Sequence, residues 1–143
     1  MIKGIFVVLH VITAAGWFGM ALLLTSISRQ VAGSSDHGLR EVGSKAVGMM
    51  TLFAVLTFIF GLIAFLAGGG FSIYGPLYHT SLLLVLILAA VQYLMIRRGW
   101  MTLAGDGGVQ VQGRKQLAMG IGVGHLIWLV VLVLMLWRHF AIY

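Results

Sequence analysis

Residues 46–96 read AVGMMTLFAVLTFIFGLIAFLAGGGFSIYGPLYHTSLLLVLILAAVQYLMI, and no Lys, Arg, Asp or Glu occurs among them. A helix needs about 20 apolar residues to cross about 30 Å of hydrocarbon, so this stretch holds two helices. The AGGG sequence at 67–70 ends the first, and the YGP sequence at 74–76 places the only proline at an early position of the second. Two membrane-spanning helices are therefore predicted at about 46–67 and 76–97.

Charge-free sequence flanks this central stretch on both sides. Residues 4–28 and 116–137 contain no Lys, Arg, Asp or Glu, and each is long enough for one span. We therefore predict spans at about 4–28 and 117–138, with short polar connections between the helices. The first apolar run is too long for a signal peptide and is expected to be a retained helix. The predicted fold is a single all-α domain over residues 1–143, an up-down four-helix membrane bundle.

The composition excludes several classes of protein. Hydrophobic residues make up 61% of the chain and charged residues 8%, whereas a soluble domain carries about 25% charged residues. The absence of cysteine excludes disulfide frameworks, thiolate metal sites and cysteine catalysis. The net charge of +6 is explained by membrane orientation and contact with anionic headgroups, so nucleic acid is not an expected partner.

The basic residues predict the orientation of the bundle in the membrane. One side has only Lys3 and Arg138. The other side has the remaining basic residues, which are Arg29, Arg40, Lys45, Arg97, Arg98, Arg114 and Lys115. This asymmetry places the two basic connections in the cytoplasm and both termini outside, facing the periplasm if the membrane is a bacterial plasma membrane. Trp100 is expected among the interfacial aromatic residues.

Histidines are the candidate functional groups within the predicted spans. No acidic residue lies in any span, which argues against proton pumps and ion-coupled transporters. His10, His79 and His125 do lie in spans, and an imidazole in hydrocarbon must find a partner. That partner is either a ligand or a carbonyl or hydroxyl group of a neighbouring helix. His37 and His139 lie outside the spans, where solvation is the expected environment.

The depths of the histidines favour one pair. By helical rise, His10 is about 9 Å inside helix 1 and His79 about 6 Å inside helix 3, both measured from the outer face. Helices 1 and 3 are diagonal in an up-down bundle, and neighbouring axes at 8–10 Å put diagonal axes about 13 Å apart. This gap suits a flat macrocycle with an axial imidazole on each side. His125 lies about 9 Å below His10 and is the alternative ligand.

Residues beside the histidines suit a planar ligand. Ala14 lies one turn from His10 and leaves space below the imidazole. Gly120 and Gly124 form a small-residue face that admits either a porphyrin or, as is common in membranes, another helix. The candidates for packing against a ring are Trp17, Tyr78 and Trp128.

Two segments resemble a known superfamily. The run LHVITAAGWFG at 9–19 resembles the LHxxxAxxWxG opening of the copper-resistance-D-like membrane proteins, which include the HemJ-type protoporphyrinogen oxidases. The sequences FGL at 60–62 and YGPLYH at 74–79 are similar to the second and third helices of that group. The resemblance implies four or more helices, a periplasm-facing His10 and, from the HemJ-type members, a bound b-type haem. Many relatives have a lysine near His79, and this departure favours a simpler haem protein over protoporphyrinogen oxidation.

Three interpretations follow. In the first, the chain is an integral membrane protein that binds haem b through His10 and His79 and transfers single electrons to a membrane redox partner or a quinone. In the second, the same histidines handle copper for transport or homeostasis. In the third, the protein is a non-catalytic membrane scaffold whose histidines bond between helices. Enzymatic activity as a haem-dependent oxidoreductase, catalytic residues and homo-oligomer formation stay open.

Overall fold

The protein folds into four long helices. The computed structural model describes residues 2–32, 34, 36–70, 76–105 and 109–140, with side chains throughout except at 76–78 and 137–140. Helix 1 is Ile2–Val31 and helix 2 is His37–Ala67. Helix 3 has three consecutive parts, an α-helix Pro76–Val91, a π-helical turn Gln92–Arg97 and an α-helix Arg98–Ala104; helix 4 is Gln110–Phe140. The described residues contain no strand, so the prediction of an all-helical fold with four helices is confirmed.

The ends of helices 2 and 3 fall where the sequence indicates. Helix 2 begins after Asp36, whose carboxylate accepts a hydrogen bond from the backbone N–H of Gly38 at 2.8 Å, as an N-cap does. It ends at Ala67, after which Gly69 and Gly70 take positive φ angles of 102° and 55°. Side chains disfavour such angles, so the glycine run turns the chain. Helix 3 then begins at Pro76, which confirms the predicted break.

Each of the four helices is long and apolar enough to cross a membrane. The most apolar window of each helix has only 11% to 28% of its residues buried inside the protein. Most of the remaining side chains are Leu, Ile, Val and Met that face outward, which a lipid bilayer covers at no cost. At the connections the helices continue beyond the predicted spans, to Val31, from His37, to Ala104 and from Gln110, and no proline occurs in these flanking residues.

The bundle consists of two antiparallel helix pairs. Helix 1 packs along helix 2, where His10 lies on Gly61 and Gly16 lies on Phe53. Helix 3 packs along helix 4 to a similar extent, and contacts between the two pairs are few. Within the described residues, the backbone of helix 1 stays away from that of Pro76–Val91 but approaches that of Arg98–Ala104, so helices 1 and 3 are diagonal only toward the end that contains His10 and His79.

Helices 3 and 4 approach each other at backbone distance. A Cβ atom on Gly99 would lie 2.7 Å from the backbone nitrogen of Leu117 and 3.1 Å from the carbonyl oxygen of Gly113. Gly113 in turn lies against the backbone of Leu103. Neither position has space for a side chain, so this crossing requires glycine.

The close-packed core occupies one end of the bundle. Its residues begin at Trp17 on helix 1 and Leu88 on helix 3, and they run toward the connections at 32–36 and 105–109. We call this the basic end, because Arg29, Arg40, Lys45, Arg97, Arg98, Arg114 and Lys115 lie there. The opposite end, which contains His10 and His79, is called the histidine end. Trp100 belongs to the core, with 3% of its surface exposed, so the prediction that it faces the lipid interface was wrong. Its indole lies on Gly43 and donates a hydrogen bond to Ser44 Oγ at 2.9 Å.

The tight crossing yields a test of the fold. Replacing Gly99 with alanine forces helices 3 and 4 apart and should lower the free energy of unfolding by about 1–3 kcal/mol. Gly122→Ala is the matched control, because nothing lies within 4 Å of a Cβ at Gly122. Thermal unfolding in detergent should show a lower Tm for Gly99→Ala and an unchanged or higher one for Gly122→Ala. Equal Tm values for the two variants would contradict the crossing.

Candidate functional site: intramembrane histidines and a polar junction

His10 is bonded to helix 2. Its side chain is half-buried, and its Nδ1 lies 2.7 Å from the carbonyl oxygen of Thr57. A carbonyl oxygen only accepts, so Nδ1 carries the hydrogen and donates it. The Nε2 lone pair of the neutral ring is then the one that remains for a ligand.

Gly61 makes the position of His10 possible. A Cβ at residue 61 would lie 2.7 Å from the imidazole Nδ1 and 2.8 Å from its Cε1. Any other residue would push the ring away from the carbonyl. The FGL sequence at 60–62 therefore has a structural meaning, which is to seat the His10 imidazole on the backbone of helix 2.

Two threonines extend this contact. Thr57 donates its hydroxyl hydrogen to Thr13 Oγ1 at 3.0 Å, and both side chains are buried. Thr13 donates to the carbonyl oxygens of Leu9 and His10 at 2.9 Å and 3.0 Å. These hydrogen bonds hold the turn of helix 1 that carries His10 against the turn of helix 2 that contains Thr57.

His79 and His125 have different environments. His79 is exposed in the first turn of helix 3, at the same end of the bundle as His10. His125 is half-buried, with its ring centroid 4.5 Å from that of Phe18 and 5.9 Å from that of Trp17. Its Nε2 is buried and has no hydrogen-bond partner. His125 contacts helix 1 seven residues beyond His10, which is about 10 Å along the axis, so the two imidazoles lie at different levels.

The remaining predicted residues are placed as follows. Ala14 is buried on the inner face of helix 1. Gly124 receives the indole of Trp17, since a Cβ there would lie 2.7 Å from its Cη2. Gly120 faces Met95 and Ile96, so the small-residue face of helix 4 packs against protein side chains and helix 3. Trp128 packs on Phe18, with ring centroids 5.4 Å apart. The side chain of Tyr78 lies outside the described residues, as does that of His139.

A polar junction that sequence analysis missed lies between the two helix pairs. Trp17 donates its indole N–H to Gln92 Oε1 at 3.0 Å, and each residue has 2% of its surface exposed. Gln92 donates from Nε2 to Thr51 Oγ1 at 3.2 Å, and Thr51 donates to the carbonyl oxygen of Val47. This chain of bonds joins helices 1, 3 and 2. The signal was present in the sequence, because Gln92 is the only amide side chain in the charge-free stretch 46–96.

Clusters typical of protein-only metal sites do not occur in the part of the chain that the structure describes. No group of three or more His, Asp or Glu residues lies close enough to hold a metal ion there. A haem iron needs only one or two protein ligands, because the porphyrin supplies the other four.

Comparison with known proteins gives no relative. The chain matches no family model, and no curated protein or solved structure is significantly similar to it. The resemblance to the copper-resistance-D-like superfamily stays a prediction.

The polar junction yields a second test. Gln92→Leu removes the acceptor of the Trp17 indole hydrogen inside the hydrocarbon region, which should cost about 0.6–2 kcal/mol of stability. The loss of that hydrogen bond should also shift tryptophan fluorescence to shorter wavelength. Gln112→Leu is the control, because Gln112 is exposed on helix 4. Identical stability and emission of the two variants would show that the junction does not form.

Proposed function

We propose that this protein is an integral membrane b-type haem protein that transfers single electrons. One observation carries the proposal, which is the 2.7 Å hydrogen bond from His10 Nδ1 to the carbonyl oxygen of Thr57. Histidines that ligate metals commonly donate the other ring hydrogen to a backbone carbonyl, which fixes the tautomer and raises the basicity of the ligating nitrogen. His10 is prepared in this way within a predicted membrane span.

The donor set is consistent with a haem iron. Neutral imidazoles are common axial ligands of b-type haem, and the predicted spans contain no carboxylate or thiol that would compete. Gly61 provides the seat for the His10 ring, and Thr13 and Thr57 hold the two helix turns together. These residues would hold and orient one axial ligand.

His79 is the proposed second ligand. It lies at the histidine end with His10, in the part of helix 3, Pro76–Val91, whose backbone stays away from helix 1. The residues of the close-packed core begin at Trp17 and Leu88 and extend away from both histidines. His125 is the less favoured ligand, because it meets helix 1 about 10 Å along the axis from His10, so the two imidazoles would not reach the same iron.

The chemistry follows from the ligands. When bound, the haem supplies reversible one-electron oxidation and reduction at its iron. Two axial imidazoles leave no open coordination position, which favours electron transfer over oxygen chemistry. The protein's part is to fix the imidazole, to exclude water with the apolar helices and to set the potential through the His10–Thr57 bond.

The same hydrogen bond also supports the scaffold interpretation. An imidazole bonded to a neighbouring helix is partly satisfied without any ligand, and the rings of Trp17 and Phe18 pack against His125 without one. A visible spectrum of the purified protein separates the two, since only the haem protein has a Soret band. The copper interpretation predicts metal without that band.

The proposal includes a location and partners. Lipid covers the apolar surface of the helices. By the distribution of basic residues, both termini are proposed to lie outside, in the periplasm of a bacterial plasma membrane, so that His10 and His79 lie near the outer face. The electron partner would be a membrane redox protein or a quinone that approaches this face.

Substitution of the histidines tests the ligand assignment. His10→Ala and His79→Ala should each abolish the low-spin six-coordinate spectrum, because each removes one axial bond. His37→Ala is the control and should leave the spectrum unchanged, since His37 is exposed in the first turn of helix 2. If His79→Ala preserves the low-spin spectrum and His125→Ala abolishes it, the assignment of His79 is wrong. Absence of a Soret band from the wild-type protein would refute the haem proposal itself.

Gly61→Ala tests the hydrogen bond without removing a ligand. The added methyl group would lie 2.7 Å from His10 Nδ1, so it should displace the ring from the Thr57 carbonyl. We expect a lower haem content and a shifted midpoint potential in redox titration. Gly48→Ala on the same helix is the matched control, because nothing lies within 4 Å of a Cβ there. Equal potentials and haem contents in the two variants would contradict a role for the bond.

A further inference from the structure

Helices 3 and 4 both depart from a regular, stiff α-helix at the same level of the bundle. Helix 3 contains the π-helical turn Gln92–Arg97, and the sequence GIGVG at 120–124 places three glycines within five residues of helix 4. The two segments face each other, because a Cβ atom on Gly120 would lie 2.8 Å from the Cβ atom of Met95. We call these two segments the π–glycine band. Helices commonly bend at π turns and at glycines, since a π turn distorts the regular hydrogen bonding and glycine has the least restricted backbone.

On the basic-end side of the π–glycine band, helices 3 and 4 are held firmly against the rest of the bundle. Gly99 lies directly against the backbone of helix 4, and the indole of Trp100 donates a hydrogen bond to Ser44 of helix 2. The segment Arg98–Ala104 accordingly approaches helices 1, 2 and 4. At the band itself, the side chain of Gln92 bonds to both helix 1 and helix 2. Directed hydrogen bonds therefore connect the two helix pairs as far as the level of Gln92.

The histidine-end halves of helices 3 and 4 contact the other helix pair differently. Within the described residues, the backbone of Pro76–Val91 packs along helix 4, approaches helix 2 at few places and stays away from helix 1. Helix 4 meets helix 1 there through rings, because Phe18 packs on both His125 and Trp128. The buried Nε2 of His125 has no hydrogen-bond partner. A contact between rings tolerates a change of angle better than a hydrogen bond does, so it permits movement between the two pairs.

We propose that helices 3 and 4 bend together at the π–glycine band, so that their histidine-end halves move as one body relative to helices 1 and 2. The movement opens and closes the gap between helix 2 and Pro76–Val91 toward the bilayer. His79 lies on the moving body and His10 on the other helix pair, so the movement changes the distance between the two histidines. The bending itself is independent of haem binding, whereas a role in admitting a ligand from the membrane rests on the proposed function.

Distances between spin labels on the full chain test the bending. The chain contains no cysteine, so two introduced cysteines are the only labelling sites. The variant I59C/L83C reports the distance between helices 2 and 3 at the histidine end, and V42C/M101C reports it at the basic end. All four side chains are exposed. Along helix 3 the two labels lie about 13 Å to either side of Gln92, so the two pairs are matched in their distance from the π–glycine band.

In bilayer nanodiscs, we expect double electron–electron resonance to give two distances for I59C/L83C and one for V42C/M101C. Adding Gly122→Ala stiffens helix 4 without a steric conflict, because nothing lies within 4 Å of a Cβ there. It should shift the ratio of the two I59C/L83C populations by about two- to fivefold, which corresponds to the difference in helix propensity between glycine and alanine. Gly48→Ala makes the same change at an equally open position of helix 2 and is the matched control, which should leave the ratio unchanged.

Two results would overturn the proposal. One is a single distance for I59C/L83C with the same width as that for V42C/M101C, which would show that the bundle is equally rigid at both ends. The other is an equal effect of Gly122→Ala and Gly48→Ala on the two populations, including no effect of either, which would show that the movement does not occur at the π–glycine band. The Soret band of the wild-type protein is measured separately, so failure of the bending and failure of the haem proposal are distinguishable.

Discussion

Trp17 donates its indole hydrogen to Gln92 in a part of the bundle where lipid and apolar side chains exclude water, and the arrangement of the four helices depends on this bond. Helices 1 and 2 form one pair and helices 3 and 4 form another, with few contacts between them. In hydrocarbon an amide or indole group without a hydrogen-bond partner is unfavourable in free energy. Apolar side chains, by contrast, gain little free energy when they move from lipid into the protein. The Trp17–Gln92–Thr51 junction therefore gives the two pairs a specific relative position, which Trp100 and Ser44 reinforce about 12 Å away along helix 3.

The π-helical turn of helix 3 begins at Gln92, the residue that accepts the Trp17 hydrogen bond. A π turn distorts the regular α-helical hydrogen bonding, and such turns are frequent at functional or strained positions. Gln116 on helix 4 donates its side-chain N–H to the carbonyl oxygen of Leu94 within the turn, at 3.0 Å. The side of helix 3 that faces helix 4 thus receives a hydrogen bond from that helix, while Gln92 bonds across the bundle. Helix 3 is held on both sides where its regularity is lost.

The sequence predicts the number of helices and the break between helices 2 and 3. The signals are the length of the charge-free sequence, the glycine run and Pro76, and each of them acts locally, whichever helices are neighbours. The sequence does not predict which faces meet, since a helix that is apolar all round gives no inside or outside. For that reason the sequence wrongly predicts an interfacial Trp100, which packs on Gly43, and it does not identify Gln92 as the partner of Trp17. His10, Trp17 and Gly124, which the sequence offers as cofactor-binding candidates, contact neighbouring helices, and which neighbours they contact depends on the register between helices.

The two ends of the bundle differ in a way that bears on the proposed function. At the basic end, large side chains such as Leu24, Met50 and Leu103 are almost fully buried and the helices touch at Gly99 and Gly113. Toward the histidine end, helices 1 and 2 are joined by Thr13, Thr57 and the imidazole of His10, which are polar contacts of defined direction. At the basic end close packing is combined with the Trp17–Gln92 and Trp100–Ser44 hydrogen bonds, whereas the hydrogen bonds toward the histidine end orient the imidazole that the proposed function uses as a ligand. Thr57 joins helices 1 and 2 twice at the histidine end, since its carbonyl oxygen accepts from His10 Nδ1 and its hydroxyl group donates to Thr13 Oγ1.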